Sequence, residues 1–274
     1  MPSIGSSAVP LLSPAELRKH FVLDQLFQPG AASIYSTDLD RLVIGGIMPE
    51  EDIQVSGFHE LGSSKFCLRR ETGILNIGGP GIVQVDDEEY LVRPLDCLYV
   101  GAGERDLVFR RSKEAVASPP AAFFLLSCPA HRSLPTRQAT KSDALVFEVG
   151  DAEKCARRRL HRYICPERIE SCQLTMGFTE MLPGSVWNTM PPHTHSRRSE
   201  VYLYFDLHES FVLHLMGEAP CTRHLIIRDR QVVLSPSWSL HCGVGTASYR
   251  FVWGMAGENQ DFDDMDPIVS QDLL

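Results

Sequence analysis

The sequence predicts an all-β protein built as two β-barrels or jelly rolls with a few short helices. Three observations predict it. Short apolar runs separated by Gly, Pro or Asp recur along almost the whole chain, which is the grammar of strands and tight turns. That grammar runs through both halves, which suits a pair of barrels better than a parallel α/β sheet. A chain of 274 residues can also hold two domains of roughly 100–150 residues. The expected division is 1–140, a barrel without metal, and 141–274, a metal-binding barrel.

Taken in order, Ser13 to Phe27 read as a short helix, with Ser13 as cap, Pro14 at the first position and Glu16 followed by apolar residues. Arg41–Ile47, Ser64–Arg69, Ile82–Val85, Glu89–Val92 and Cys97–Val100 read as strands. A Pro-rich passage from Ala115 to Pro135 surrounds Phe123–Leu126, and Lys141–Arg162 reads as a connector with charged, helix-capable parts. Strands resume at Gln173–Leu182, Glu200–Phe205, Phe211–Met216, Thr222–Arg228, Gln231–Ser235 and Tyr249–Met255. A faint internal echo sets Tyr90–Gly103 against Leu225–Ser237. In that offset Asp106 falls where His241 stands, and the first half has no His-x-His.

Composition excludes several classes. A hydrophobic share of 43% and a charged share of 22% are ordinary for a globular protein. The net charge of -9 argues against nucleic-acid binding, so an anionic ligand needs a local Arg or Lys. No signal-like start is visible, and the longest uncharged run, Ala115 to Ala130, is too short and too broken by Pro to span a membrane. Eight scattered Cys without Cys-x-x-Cys suit reduced thiols in a cytoplasmic protein. The glycines of Gly78–Gly81 and Gly101–Gly103 fit hairpin turns, since no helix pattern follows them. Arg157–Arg159 read as a solvated face, a subunit contact or a carboxylate anchor.

The most specific signal is His193-Thr-His195, followed by Glu200 and answered by His241. Residues i and i+2 share one face of a strand, so both imidazoles can reach one ion. Glu200 has the wrong parity for an unbroken strand, so a turn at Ser196-Arg197-Arg198 must re-aim it. Three imidazoles and a carboxylate suit a divalent first-row metal. Other histidines read more plainly: His208 in a turn, His214 in an apolar strand, His59 and His131 in loops. Tyr202 and Tyr204 share parity with Glu200. Either Arg223 or His224 faces the barrel interior, and parity leaves that choice open.

Met190–Tyr202, Ser235–Gly245 and Trp253–Gln260 resemble the 5-keto-4-deoxyuronate isomerases, the 4-deoxy-L-threo-5-hexosulose-uronate ketol-isomerases of the cupin superfamily. The likeness continues through Gly45–Pro49, Glu71–Gly79 and Phe262–Asp266, and so spans nearly the whole chain. It departs at His161-Arg162-Tyr163, where the family's pattern is Asn-Lys-Tyr. The resemblance implies a bicupin, one Zn²⁺ per chain on His193, His195, Glu200 and His241, and a homohexamer in the cytoplasm with no membrane or nucleic-acid partner.

The reaction implied belongs to pectin and uronate catabolism. It converts 5-dehydro-4-deoxy-D-glucuronate to 3-deoxy-D-glycero-2,5-hexodiulosonate through a metal-stabilised enediolate. His224, Tyr202 and Arg223 are the candidate catalytic residues, and Arg223, ahead of Arg162, is the candidate carboxylate anchor. Two alternatives share the ligand set: an iron-dependent cupin dioxygenase, which would consume O₂, and a sugar-binding cupin without turnover.

Overall fold

A computed structural model describes residues 1–114 and 118–274, so residues 115–117 of the Pro-rich passage lie outside the described residues. Strands dominate, and strand pairs from all four sheets, such as Phe123–Pro129 with Arg70–Asn76 and Arg198–Phe205 with Arg250–Gly257, are antiparallel. The chain forms two compact units. One comprises Met1–Asp24, Leu145–Arg162 and Gly177–Leu274; the other comprises Gln25–Ala144 and Tyr163–Met176. Each unit pairs a larger sheet with a smaller one around an apolar core, a layout compatible with a bicupin.

The unit containing Gln25–Ala144 has a six-stranded sheet in the order Arg137–Ala139, Cys97–Val100, Arg70–Asn76, Phe123–Pro129, Val43–Met48 and Ala31–Ser36. Its four-stranded sheet runs Ile53–Val55, Leu107–Arg111, Gly81–Val85 and Glu88–Val92. Alternate residues of both sheets, among them Ile74, Leu98, Phe123, Val83, Leu107 and Phe109, meet in one buried cluster. The strand expected at Ser64–Arg69 is instead a run of turns that buries Phe66 and Cys67, held by Ser63 Oγ accepting from Lys65 N–H at 3.1 Å. The strand begins only at Arg70. Within the Pro-rich passage, Phe123–Pro129 is a central strand with neighbours on both sides.

The other unit has a seven-stranded sheet in the order Val22–Leu23, Val232–Ser235, Arg198–Phe205, Arg250–Gly257, Thr175–Met181, Arg158–Ile164 and Leu145–Val149. A five-stranded sheet, Cys221–Ile227, Val212–Glu218, His241–Gly245, Trp187–Thr194 and Asp266–Pro267, packs against it through Tyr202, Phe251 and Trp253 on one side and Val212, Met216 and Leu225 on the other.

Three expectations are corrected here. The helix runs only over Pro14–Phe21, entered through a capping box between Ser13 and Glu16. It stops short of Phe27 because β-prone Val22 and Leu23 pair with Val233 and Val232 at the sheet edge. The expected connector Lys141–Arg162 holds a hairpin, Leu145–Val149 against Arg158–Ile164, in which Glu148 pairs with Arg157 and Arg159. The linear division at 140/141 also fails at both ends. The N-terminal helix buries Leu17 and Phe21 in the core of the unit formed by the C-terminal half. Residues 163–176 belong with the N-terminal half because the buried Glu71 carboxylate accepts the N–H groups of Cys172, Gln173 and Leu174 at 2.6, 2.8 and 2.8 Å.

Candidate metal centre

His193 lies near the end of the strand Trp187–Thr194, and its register places it opposite His241, the first residue of His241–Gly245. His195 follows immediately. A turn at Ser196-Arg197 then reverses the chain into Arg198–Phe205, so Glu200 and Tyr202 approach from the facing sheet. The expected turn is therefore where the parity argument requires it. The three Nε2 atoms and one Glu200 oxygen form a closed ring: His193 to His195 is 3.2 Å, His193 to His241 is 3.2 Å, His195 to Glu200 Oε2 is 3.3 Å and His241 to Glu200 Oε2 is 3.1 Å.

Each imidazole is oriented through its other nitrogen. His195 Nδ1–H donates to the Asp264 carbonyl at 3.1 Å, and that carbonyl also accepts from Arg198 at 2.7 Å. His241 Nδ1 meets Ser235 Oγ at 3.1 Å, with the Ser239 backbone as a further partner. His193 is held by the backbone of Pro191. With the protons on Nδ1, the Nε2 lone pairs converge. Burial, and then the neighbouring His195, push His193 down to about 4. Burial, and then the neighbouring imidazoles, hold His241 well below the usual histidine range. Neutral rings are the ligand form.

A cation fits this donor set. Glu200 Oε2 is buried and receives no hydrogen bond, and its nearest polar neighbours are nitrogen lone pairs. Such an arrangement is costly without a positive charge between the groups. Donors about 3.2 Å apart surround a centre about 2.0 Å away if tetrahedral and about 2.3 Å away if square, which brackets the bond lengths of first-row divalent ions.

The cluster opens into a cavity of about 390 Å³, small-molecule sized. Leu160, Met190, Phe251, Trp253, Met255 and Phe262 supply apolar wall, while Arg158, Thr179, Thr189 and Tyr202 supply polar groups. Asp263 stands exposed at the rim. The segment carrying Phe262, Asp263 and Met265 is strapped down by Arg197, whose Nε donates to Asp264 at 2.8 and 2.9 Å, and by Asn259, which donates to Asp264 at 2.6 Å.

The remaining candidates separate. Tyr202 lines the cavity, and its hydroxyl partners are Thr189 and Glu200. Burial, and then the Glu200 charge, hold this phenol well above its usual range, so it stays protonated and donates. His224 is exposed on the edge strand and does not line the cavity. Arg223 donates to the carbonyls of Val9 and Leu12 at 2.6 and 2.7 Å, holding the N-terminal segment rather than a ligand. Arg162 is buried over the rings of Phe147 and Phe262, at 5.5 and 4.4 Å, and is also absent from the cavity wall. These placements correct the catalytic reading of Arg223 and His224 and the anchoring reading of Arg223 and Arg162. His214 is core, with Nδ1 2.8 Å from the Tyr204 hydroxyl, and His208 is exposed in its turn.

Arg158 is the cavity residue the sequence reading did not single out from its arginine run. Strand alternation was the available signal. Arg157 and Arg159 turn to Glu148, whereas Arg158 and Leu160 point into the cavity.

Two packed-sheet units, one of them carrying converging His and Glu donors in the wall of an apolar cavity, define a cupin-like protein with a site able to hold a metal ion. Residues 60–268 match the KduI/IolB family, and the chain belongs to that family. It is 52% identical to a 4-deoxy-L-threo-5-hexosulose-uronate ketol-isomerase of Opitutus terrae, covering 96% of this chain and 94% of the relative. It is 44% identical to the protein of that name from Salmonella paratyphi B, covering 99% and 98%. Among solved structures, an IolB-like protein of Salmonella typhimurium LT2 superposes with a TM-score of 0.67 at 14% identity, covering 94% of this chain and 91% of that one. An oxalate decarboxylase gives 0.60 at 11% identity, covering 91% and 77%. The last two likenesses speak for the fold alone. The first two support an isomerase role.

Proposed function

We propose that this protein is a ketol isomerase that moves the carbonyl of a 4-deoxy-5-hexosulose uronate from C1 to C2, using one divalent ion held by His193, His195, Glu200 and His241. The observation that carries this reading is the orphaned Glu200 oxygen facing imidazole nitrogens beside a small-molecule cavity that Glu200 lines, in a chain 52% identical to a ketol-isomerase of that substrate class.

The reaction removes the C2 proton and delivers a proton to C1, so no electron leaves the substrate. An ion held by His193, His195, Glu200 and His241 would supply positive charge that stabilises developing negative charge on the substrate. This chain's own residues do the rest. Ser235 and the carbonyls of Asp264 and Pro191 keep the imidazoles in the tautomer that presents Nε2. Tyr202 holds Glu200 by a donated hydrogen bond. The mainly apolar wall lowers the polarity around a bound group, which strengthens charge interactions there. The resemblance further supports zinc as the ion, a homohexamer, a cytoplasmic setting and substrate supplied by pectin or uronate breakdown.

The test is incubation of metal-loaded protein with the lyase-derived ketouronate, followed by NMR and an oxygen electrode. The carbonyl should appear at C2, solvent deuterium should enter at C1, and O₂ should not fall. Intact substrate would favour a binding protein, and O₂ uptake matching turnover would favour a dioxygenase.

A further inference from the structure

We propose that Arg158 is the group that selects a carboxylate-bearing substrate, gripping the acid end of the uronate while its carbonyl end faces the His193, His195, Glu200 and His241 cluster. This rests on the isomerase reading above and assigns a residue within it.

Three observations converge. First, Arg158 lines the same cavity as His193, His195 and Glu200, and among the described residues no other arginine or lysine does. Second, its charge is unpaired. Arg157 and Arg159, on either side, form ion pairs with Glu148, and Arg159 also reaches Glu180 at 3.6 Å. Arg158 has no ion pair among the described residues. Its one protein hydrogen bond runs from Nη1 to the Ala156 carbonyl at 2.9 Å. A guanidinium carries five N–H donors in a planar fork, so most of its capacity is left for a ligand. Third, the wall beside it is apolar, formed by Leu160, Phe251, Trp253 and Met255. A cation in such surroundings is poorly solvated, and burial accordingly lowers its pKa. A bidentate carboxylate restores what desolvation removes.

The arrangement reads the substrate from both ends. An acid of the right length engages Arg158 and the donor cluster together, whereas a neutral sugar leaves the guanidinium unpaired in an apolar wall, which penalises it. A phosphate ester could satisfy the same fork, so the test separates the two anions.

The experiment compares the zinc-loaded wild type with Arg158→Met and Arg158→Lys. Each is assayed with the ketouronate, with its analogue bearing an alcohol in place of the C6 carboxylate, and by calorimetric titration with glucuronate, glucose and glucose 6-phosphate. Metal content and melting temperature are read on the same samples. The wild type should favour the acid. Arg158→Met should lose about 30-fold or more in kcat/KM for the acid, the lower end for a buried charge pair. It should keep one zinc per chain and lose its preference for acid over alcohol. Arg158→Lys should recover part of the preference, because it keeps the charge without the fork. The proposal is overturned if Arg158→Met retains kcat/KM for the acid within about threefold, if it keeps the acid preference, if its metal is lost along with its activity, or if glucose 6-phosphate binds better than glucuronate. Failure of the isomerase reading looks different: wild type turns over neither substrate, and titration alone then reports whether glucuronate binding depends on Arg158.

Discussion

The two units use the same device, a larger antiparallel sheet packed on a smaller one, and treat the space between the sheets in opposite ways. In the unit formed mainly by Gln25–Ala144 that space holds Phe66, Phe109, Phe123, Ile74 and Val83, all buried and apolar. In the other unit part of it is lined by His193, His195, Glu200, Tyr202 and Arg158. Asp106, which the internal echo sets opposite His241, turns away from the first core and pairs with Lys65. A sandwich interior can serve as a core or as a site. Filling it with hydrocarbon stabilises the fold, and lining it with converging lone pairs costs stability that an ion and oriented hydrogen bonds must offset. The apolar unit is thus expected to carry stability without metal, and the other unit to carry the chemistry.

The sharpest way to break that contrast is at the donor ring. His195→Ala removes one corner and leaves Glu200 Oε2 facing only His241. Metal content should fall from one ion per chain towards zero. Activity should fall with it by more than about 100-fold, since losing even a supporting partner of a ligand can cost that much. Full occupancy in the purified variant would remove His195 from the centre. Two ions per chain in the wild type would overturn the contrast between the units.

On the apolar side, Phe123 packs against Phe109 with ring centroids 5.2 Å apart. Phe123→Ala should destabilise the protein by about 3–5 kcal/mol in denaturant unfolding, with metal stoichiometry unchanged. Metal loss from the folded variant would mean that the two interiors are not independent.

How much of this was legible in the sequence follows from what is local. The convergence of His193, His195 and Glu200 was legible because His-x-His fixes one strand face and the Glu200 parity demands the turn observed at Ser196-Arg197. Strands such as Cys97–Val100 and Val232–Ser235 were legible because apolar runs between turn residues leave little else. Three features depend on partners distant in sequence and were not. Val22 and Leu23 leave the helix because Val233 and Val232 offer a sheet edge. Residues 163–176 join the N-terminal half because Glu71 collects their amides. Arg158 hides in a run of like charges whose neighbours are surface pairs.

A smaller effect sharpens the contrast at the ligands' supports. Ser235 Oγ sits 3.1 Å from His241 Nδ1. Ser235→Ala leaves the Ser239 backbone as a partner, so the ring keeps its tautomer but loses part of its restraint. Zinc affinity should weaken by about tenfold, the low end for such partners. Competition with a chelator measures it, and unchanged affinity would leave orientation to the backbone alone.

The smallest effect on activity is expected at Arg223, the residue that its charge and its place in the metal-bearing half first recommended as anchor. Its guanidinium donates to the carbonyls of Val9 and Leu12, residues that flank the entry to the Pro14–Phe21 helix. Those two bonds fix the N-terminal segment onto the strand Cys221–Ile227, on the opposite edge of the five-stranded sheet from Asp266–Pro267. Arg223→Met removes both donors but keeps a side chain of similar reach, so the loss should be about 1–3 kcal/mol of stability, as for hydrogen bonds from a charged group. The donor ring and the cavity wall do not include Arg223. Metal content should therefore stay at one ion per chain, and kcat/KM for the uronate should change by no more than about twofold. Arg158→Met should show the reverse, with activity lost and stability little changed. If Arg223→Met instead lost activity at unchanged stability, the anchor would lie on the edge strand after all, and the cavity beside the histidines would not be where the uronate binds.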